Sequence, residues 1–140
     1  MADSLTREAR SERMARIGGK DTGPKMVVRQ LVHSLGYRYR LHQRDLPGSP
    51  DLVFSARGRI IFVHGCFWHR HPDPSCKLAR LPKSRLEFWE PKLNANAHRD
   101  EIAQEKLEQL GWKVLVIWEC ELKDRASLQS KIDSFFNDDD

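Results

Sequence analysis

The run WKVLVIW, residues 112–118, constrains the fold of this chain more than any other feature. It is apolar with one interruption, of strand length, and rich in β-branched residues, which describes a buried strand. Two further short strands, DLVF at 51–54 and RIIFV at 59–63, flank a turn at 55–58. YRYRLH at 37–42 alternates strictly, with Tyr37, Tyr39 and Leu41 on one face and Arg38, Arg40 and His42 on the other, as in a half-buried strand. DLPGSP at 45–50 is a turn. A helix opens near Pro24, with Asp21 or Thr22 as cap, carries Val27, Leu31 and Leu35 on an apolar face, and is closed by Gly36. A second helix spans about 91–110 and stops at Gly111, and a short one spans 124–136. Residues 66–84 are proline-containing loop with little periodicity. The order of elements predicts an α/β fold, a mixed central sheet flanked by helices.

At 140 residues the chain suits one domain, with residues 1–20 as an N-terminal arm and 137–140 as a frayed acidic tail. Arg7, Arg10, Arg13 and Arg16 in that arm form either a basic helical stripe or a solvated, frayed segment. No apolar run approaches the roughly 20 residues that span a bilayer, and the N-terminus has no apolar signal region, so a cytoplasmic protein without membrane contact is expected. The net charge of +4 hides an asymmetry. From Glu119 onward there are seven acids and three bases, leaving 21 bases against 13 acids before it. A basic body fits a polyanionic partner, or simply a soluble protein of high pI.

The stretch IIFVHGCFWHRHPDPSC, residues 60–76, holds most of the chemistry. Asp51 opens one strand and His64 ends the next, so a hairpin would bring them together. A carboxylate at a strand end is a hard ligand suited to Mg²⁺, and a histidine moves protons at neutral pH. Cys66, His71 and Cys76 fall within 11 residues, and Cys120 follows the last strand. Three cysteines and one histidine either make a tetrahedral zinc set that would rigidify the loop, with His69 and Asp73 as rival ligands, or stand as three free cysteines and surface histidines. Phe67, Trp68 and Trp89 are interleaved with Arg70, Lys77, Arg80, Lys83, Arg85 and Lys92. Such aromatics either stack on nucleic-acid bases or form a small satellite core. Asp100 falls between Leu93 and Leu107 on one helical face, where an acid needs a partner from the loop or stands solvated at a boundary.

RLHQRDLPGSPDLVF, IIFVHGCFWHRH, LPKSRLEFWEPK, NANAHRDE and GWKVLVIWECEL occur in the order found in the very-short-patch-repair (Vsr) mismatch endonucleases, and residues 11–124 resemble that family. The resemblance implies a restriction-endonuclease-like fold, related to the PD-(D/E)XK enzymes, with a structural zinc site. It implies Mg²⁺-dependent nicking of duplex DNA 5′ to the thymine of a T·G mismatch, in a bacterial, nucleoid-associated monomer that meets other mismatch-repair proteins. Position by position it implies Asp51 and the backbone carbonyl of Val63 as Mg²⁺ ligands, His64 and His69 as catalytic histidines with His69 the base, and Asp100 orienting His69. It makes Phe67, Trp68 and Trp89 a wedge beside the mismatch, with Lys92 among the DNA contacts and Met14 and Ile17 in an arm reaching the DNA from the opposite groove. Cys66, His71, Cys76 and Cys120 match the zinc ligands. The chain departs from the family pattern at Lys25, where an acid is usual, and in a longer gap from His71 to Cys76. Valine replaces threonine at position 63. Three rivals stand beside this reading: a mismatched-DNA binder that does not cut, a nuclease with another DNA target, and a zinc loop that docks proteins.

Overall fold

The computed structural model describes residues 23–41 and 45–137. Met14, Ile17 and the arginine stripe lie outside them, as do His42 and the tail at 138–140. Helix α1 (Gly23–Ser34) leads to β1 (Arg40–Leu41), β2 (Leu52–Phe54) and β3 (Arg59–His64). Helix α2 (Leu86–Gln109), β4 (Lys113–Trp118) and α3 (Arg125–Asn137) follow. The four strands form one mixed sheet in the order β1-β2-β3-β4, antiparallel except for the parallel β3–β4 pair. The expected architecture is therefore present.

Alternation along the strands sorts the core into two layers. Leu52, Phe54, Ile61, Val63 and Ile117 pack with Val28 and Val32 of α1 and Leu128, Ile132 and Phe136 of α3. Val53, Ile60 and Phe62 point the other way, to Leu107 of α2. Strand β3 is buried from Ile60 to His64, which explains its apolar run. Strand β4 was expected to be the fully buried one, but it is the last strand of the described sheet. Solvent reaches round its open edge, and only Ile117 is fully buried there.

One helical face and two element boundaries differ from the sequence pattern. The buried residues of α1 are Val28, Arg29 and Val32, with Leu31 and Leu35 packed at the border. A stripe at 28, 31, 32 and 35 follows the true helical repeat, whereas 27, 31 and 35 drift across it. YRYRLH pairs only at Arg40–Leu41, and Leu41 is exposed, although Tyr37 and Tyr39 pack against the core. Helix α2 begins at Leu86, not at Pro91, which lies inside it. Arg85 turns the chain in the left-handed region (φ 58°), and its carbonyl accepts the N–H groups of Phe88 and Trp89 at 3.0 and 3.1 Å. Pro91 lies in the second turn and forfeits the hydrogen bond that a residue there would donate to the Glu87 carbonyl.

Gly48 lets the segment before Asp51 lie against α2. Its φ is +76°, and a Cβ there would sit 2.8 Å from the Ala103 Cβ and 3.2 Å from the Phe62 ring. Gly58 also has positive φ (+64°), but a Cβ there would meet nothing within 4 Å. Gly48→Ala is expected to lower stability by more than about 1 kcal/mol, and by more than Gly58→Ala, as read from denaturant midpoints.

Candidate active site and metal centre

The carboxyl end of β3 is where the polar residues gather. Antiparallel pairing of β2 with β3 carries Asp51, just before β2, alongside that end. Val63 N–H donates to Asp51 Oδ2 at 2.7 Å, and Lys25 Nζ, from the first turn of α1, lies 3.0 Å from Asp51 Oδ1. Asp51 is only 7% exposed, so protein groups and not water satisfy its charge. The contact from Val63 is its N–H. The hairpin register thus sets Asp51 against Val63, one residue before His64.

Beyond His64 the backbone coils tightly. His69 N–H reaches the Gly65 carbonyl at 3.1 Å, His71 N–H reaches that of Cys66 at 2.9 Å, and Arg70 takes a left-handed φ of 51°. The coil sends neighbouring side chains to different places. His69 stacks on His64, with ring centroids 3.9 Å apart and planes 6° apart. Its Nδ1 lies 2.6 Å from Asp100 Oδ2. Asp100 is therefore the acid on the apolar face of α2, between buried Leu93 and Leu107, and a loop histidine is its partner. In the neutral tautomer whose Nδ1–H faces the carboxylate, Nε2 of His69 is the nitrogen that accepts a proton.

His64 is almost fully buried, and its Nδ1 has no hydrogen-bond partner among the described residues. Burial, the neighbouring His69 and the Lys25 ammonium lower its pKa from 6.5 to about 3, against a smaller opposing pull from Asp100. His64 is consequently a neutral imidazole throughout the physiological range.

The same coil directs Cys66 and His71 toward Cys120, in the short 3₁₀ turn after β4, and toward Cys76. The four potential ligand atoms lie within 4.8 Å of one another. Cys120 Sγ is 3.6 Å from His71 Nδ1, and the His71 ring stacks on Trp118 at 4.3 Å. Glu121 fixes that turn by accepting Trp118 N–H at 2.7 Å and pairing with Lys131 at 2.5 Å. Burial pushes the Cys66 thiol up to about 12. Burial also opposes ionisation of Cys76, but hydrogen bonds from Cys66 and from backbone N–H groups outweigh it and pull that thiol down. Three sulfurs and one nitrogen at this spacing suit a tetrahedral thiolate-binding cation, which would relieve the cost of ionising Cys66. The rival ligands are engaged elsewhere: Asp73 accepts Ser75 N–H and Oγ–H at 2.9 and 2.7 Å, and His69 belongs to Asp100.

The aromatic residues form an edge-on cluster beside the histidines. Ring centroids are 5.2 Å apart for Phe67–Trp68, 5.4 Å for Phe67–Trp89 and 5.9 Å for Trp68–Trp89. Trp68 is 41% exposed, so this is no closed satellite core. Asn96 Nδ2 donates to the Trp68 carbonyl at 3.1 Å, and Arg70 pairs with Asn94, which ties the loop to α2. Sequence reasoning missed Phe88, which is 44% exposed and packs on Trp89. Arg85 and Lys92 lie over its ring at 4.8 and 5.7 Å. The signal was available: cations three residues before and four after an aromatic share its helical face.

Because the folded-state pKa of His64 is depressed, its contribution to stability is complete above about pH 6.5. It is lost as pH falls toward 3, where the unfolded chain binds a proton that the folded chain refuses. The ring resonances of His64 are expected to stay flat from pH 8 to about 5. Between about pH 6.5 and 4, His64→Gln is expected to lose less stability than the unaltered protein, as read from denaturant midpoints.

The family described as DNA mismatch endonuclease Vsr matches residues 2–77. The chain is 48% identical over 132 residues to the type II nicking enzyme V.XorIIP of Xanthomonas oryzae pv. oryzae, spanning 94% of this chain and 95% of that one. It is 39% identical to the DNA mismatch endonuclease Vsr of Escherichia coli, over 91% of this chain and 80% of the relative. The catalytic domain of the homing endonuclease I-Bth0305I shares the fold, with a TM-score of 0.58 at 18% identity over 83% of this chain and 95% of that domain. On the matched residues and this breadth of identity, the chain belongs to the DNA mismatch endonuclease Vsr family.

Proposed function

We propose that this endonuclease nicks one strand of duplex DNA 5′ to the thymine of a T·G mismatch by Mg²⁺-dependent phosphodiester hydrolysis. The observation that carries this reading is the His69–Asp100 pair at 2.6 Å, with His69 stacked on His64, the residue that follows the Val63 whose N–H meets buried Asp51. A proton acceptor, a carboxylate for a hard cation and, in the same loop, stacking surfaces for bases are carried at or after the strand ends, and two relatives are named for mismatch cleavage and nicking.

Asp51 would hold the divalent cation, with the Val63 carbonyl as a second protein ligand. When bound, the cation would supply charge stabilisation to the phosphodiester and a more acidic water. Asp100 fixes the His69 ring so that Nε2 takes the proton of the attacking water. The new P–O bond forms as the bond to the leaving oxygen breaks, and that oxygen takes a proton from solvent. His64, held neutral, stacks on His69 and limits its rotation. Phe67, Trp68 and Trp89, joined by Phe88, enter the base stack at the mismatch, where unstacking costs less than at a matched pair. Lys92 contacts the phosphates. Met14 and Ile17, in an arm at residues 1–20, complete the grip in a single-domain monomer. Cys66, His71, Cys76 and Cys120 bind structural zinc. The enzyme acts in the cytoplasm at the nucleoid and meets other mismatch-repair proteins. Among the described residues no helix is long and apolar enough to cross a membrane.

A T·G duplex incubated with the protein is expected to be nicked when Mg²⁺ is present and intact without it, while matched duplex stays whole. Asp51→Ala is expected to abolish nicking, and His69→Ala to slow it at least about a hundredfold. A fully active Asp51→Ala protein would remove Asp51 from the metal site. Elemental analysis is expected to find one zinc per chain, lost in Cys66→Ser and Cys120→Ser with a lowered thermal midpoint. The ion pair between Lys25 and Asp51 favours a second reading, a mismatched-DNA binder with little or no cleavage. Tight binding without nicking in both Mg²⁺ and Mn²⁺ would select it, whereas cleavage of a different mismatch or a matched site would reassign the target.

A further inference from the structure

Asp51 already has a cation. Its carboxylate is buried, its Oδ2 accepts the Val63 N–H at 2.7 Å, and its Oδ1 faces Lys25 Nζ at 3.0 Å. Lys25 is itself largely enclosed, with its side chain 14% exposed. It is carried on the first turn of α1, whose Val28 and Val32 are anchored in the core. The ammonium is thus held where an incoming cation would have to go.

We propose that Lys25 is the resident counter-ion of Asp51, and that a divalent cation binds Asp51 only by displacing the Lys25 ammonium. The residue then sets the cation concentration at which the site fills. This rests on Asp51 being the metal ligand. A magnesium ion sits about 2.1 Å from a carboxylate oxygen. Placed on Oδ1 without movement of Lys25, it would stand no more than about 5 Å from the ammonium. Two like charges that close repel, one carboxylate offsets only one of them, and little solvent remains to screen the rest. The lysine stem supplies the alternative. Its four-carbon chain lets the ammonium swing off Asp51 while α1 stays in place. Once displaced, the charge remains close enough to meet a phosphate, so cation binding and substrate binding are coupled through one side chain.

The zinc-loaded protein, titrated with Mn²⁺ and followed by electron paramagnetic resonance with Mg²⁺ as competitor, tests this without reference to activity. Lys25→Met and Lys25→Gln are expected to bind Mn²⁺ at least about tenfold more tightly than the unaltered protein, and Lys25→Arg to bind like it. Asp51→Asn is expected to weaken binding, both alone and combined with Lys25→Met. If Asp51→Asn weakens binding but Lys25→Met and Lys25→Gln do not tighten it, the counter-ion proposal falls while the ligand reading stands. If Asp51→Asn has no effect, the ligand reading falls and takes the proposal with it. Lysine Nζ resonances of the unaltered protein report the same event independently of any variant. The Lys25 signal is expected to be lost from its ion-pair position on saturation with Mg²⁺, and a signal that persists unchanged overturns the proposal.

Discussion

Burial of β3 on both faces is the constraint on which the rest of this structure depends. From Ile60 to Val63 its side chains alternate between the α1–α3 layer and the α2 layer, leaving no room for a polar group along its length. Chemistry can begin only where the strand runs out. In sheets of this kind ligand sites gather at the carboxyl ends of strands for that reason. His64 is the last residue of β3, Asp51 is brought beside it by antiparallel pairing, and Cys120 follows the end of the parallel strand β4.

The loop that follows has too few buried apolar side chains to order itself. Only Cys66 is fully buried between Gly65 and Arg85. Its order comes from local hydrogen bonds between Gly65 and His71, from Asn94 and Asn96 on α2, and from the Cys66, His71, Cys76 and Cys120 cluster that joins it to the end of β4. A metal in that cluster would act as a cross-link, closing a long segment without a hydrophobic core. The alternation of roles along 66–71 is then intelligible. Residues facing the cluster hold the loop, and those between them are left to face α2 or the exterior.

Much of the electrostatics here works by enclosure. Asp51 and His64 are both nearly inaccessible, and each answers differently. The carboxylate is matched by Lys25 and a backbone donor, whereas the imidazole gives up its charge, with a pKa near 3. His69 and Asp100 are more open and form a short hydrogen bond. Two stacked histidines in one site thus have separate characters, one fixed as neutral and one with a nitrogen facing a carboxylate. The difference comes from burial depth and neighbours and not from residue type.

Periodicity along the chain was enough to specify the sheet, the flanking helices and the strand ends at Asp51 and His64, because apolar alternation and turn residues are local signals. The spacing of Cys66, His71 and Cys76 likewise announced a metal cluster. Cys120, 44 residues beyond Cys76, entered that set as the remaining cysteine and by the family resemblance. Asp100 on an apolar helical face was visible as an anomaly, but only the family resemblance paired it with His69, since a loop without periodicity carries no record of where its histidines point. Tertiary structure alone decided that Phe88 joins the aromatic cluster, that β4 lies at an edge, and that Lys25 closes on Asp51. Each of these is a meeting between segments distant along the chain or a consequence of solvent access. Neither is encoded in any local pattern, and both appear only once β3 and its neighbours fix the segments in space.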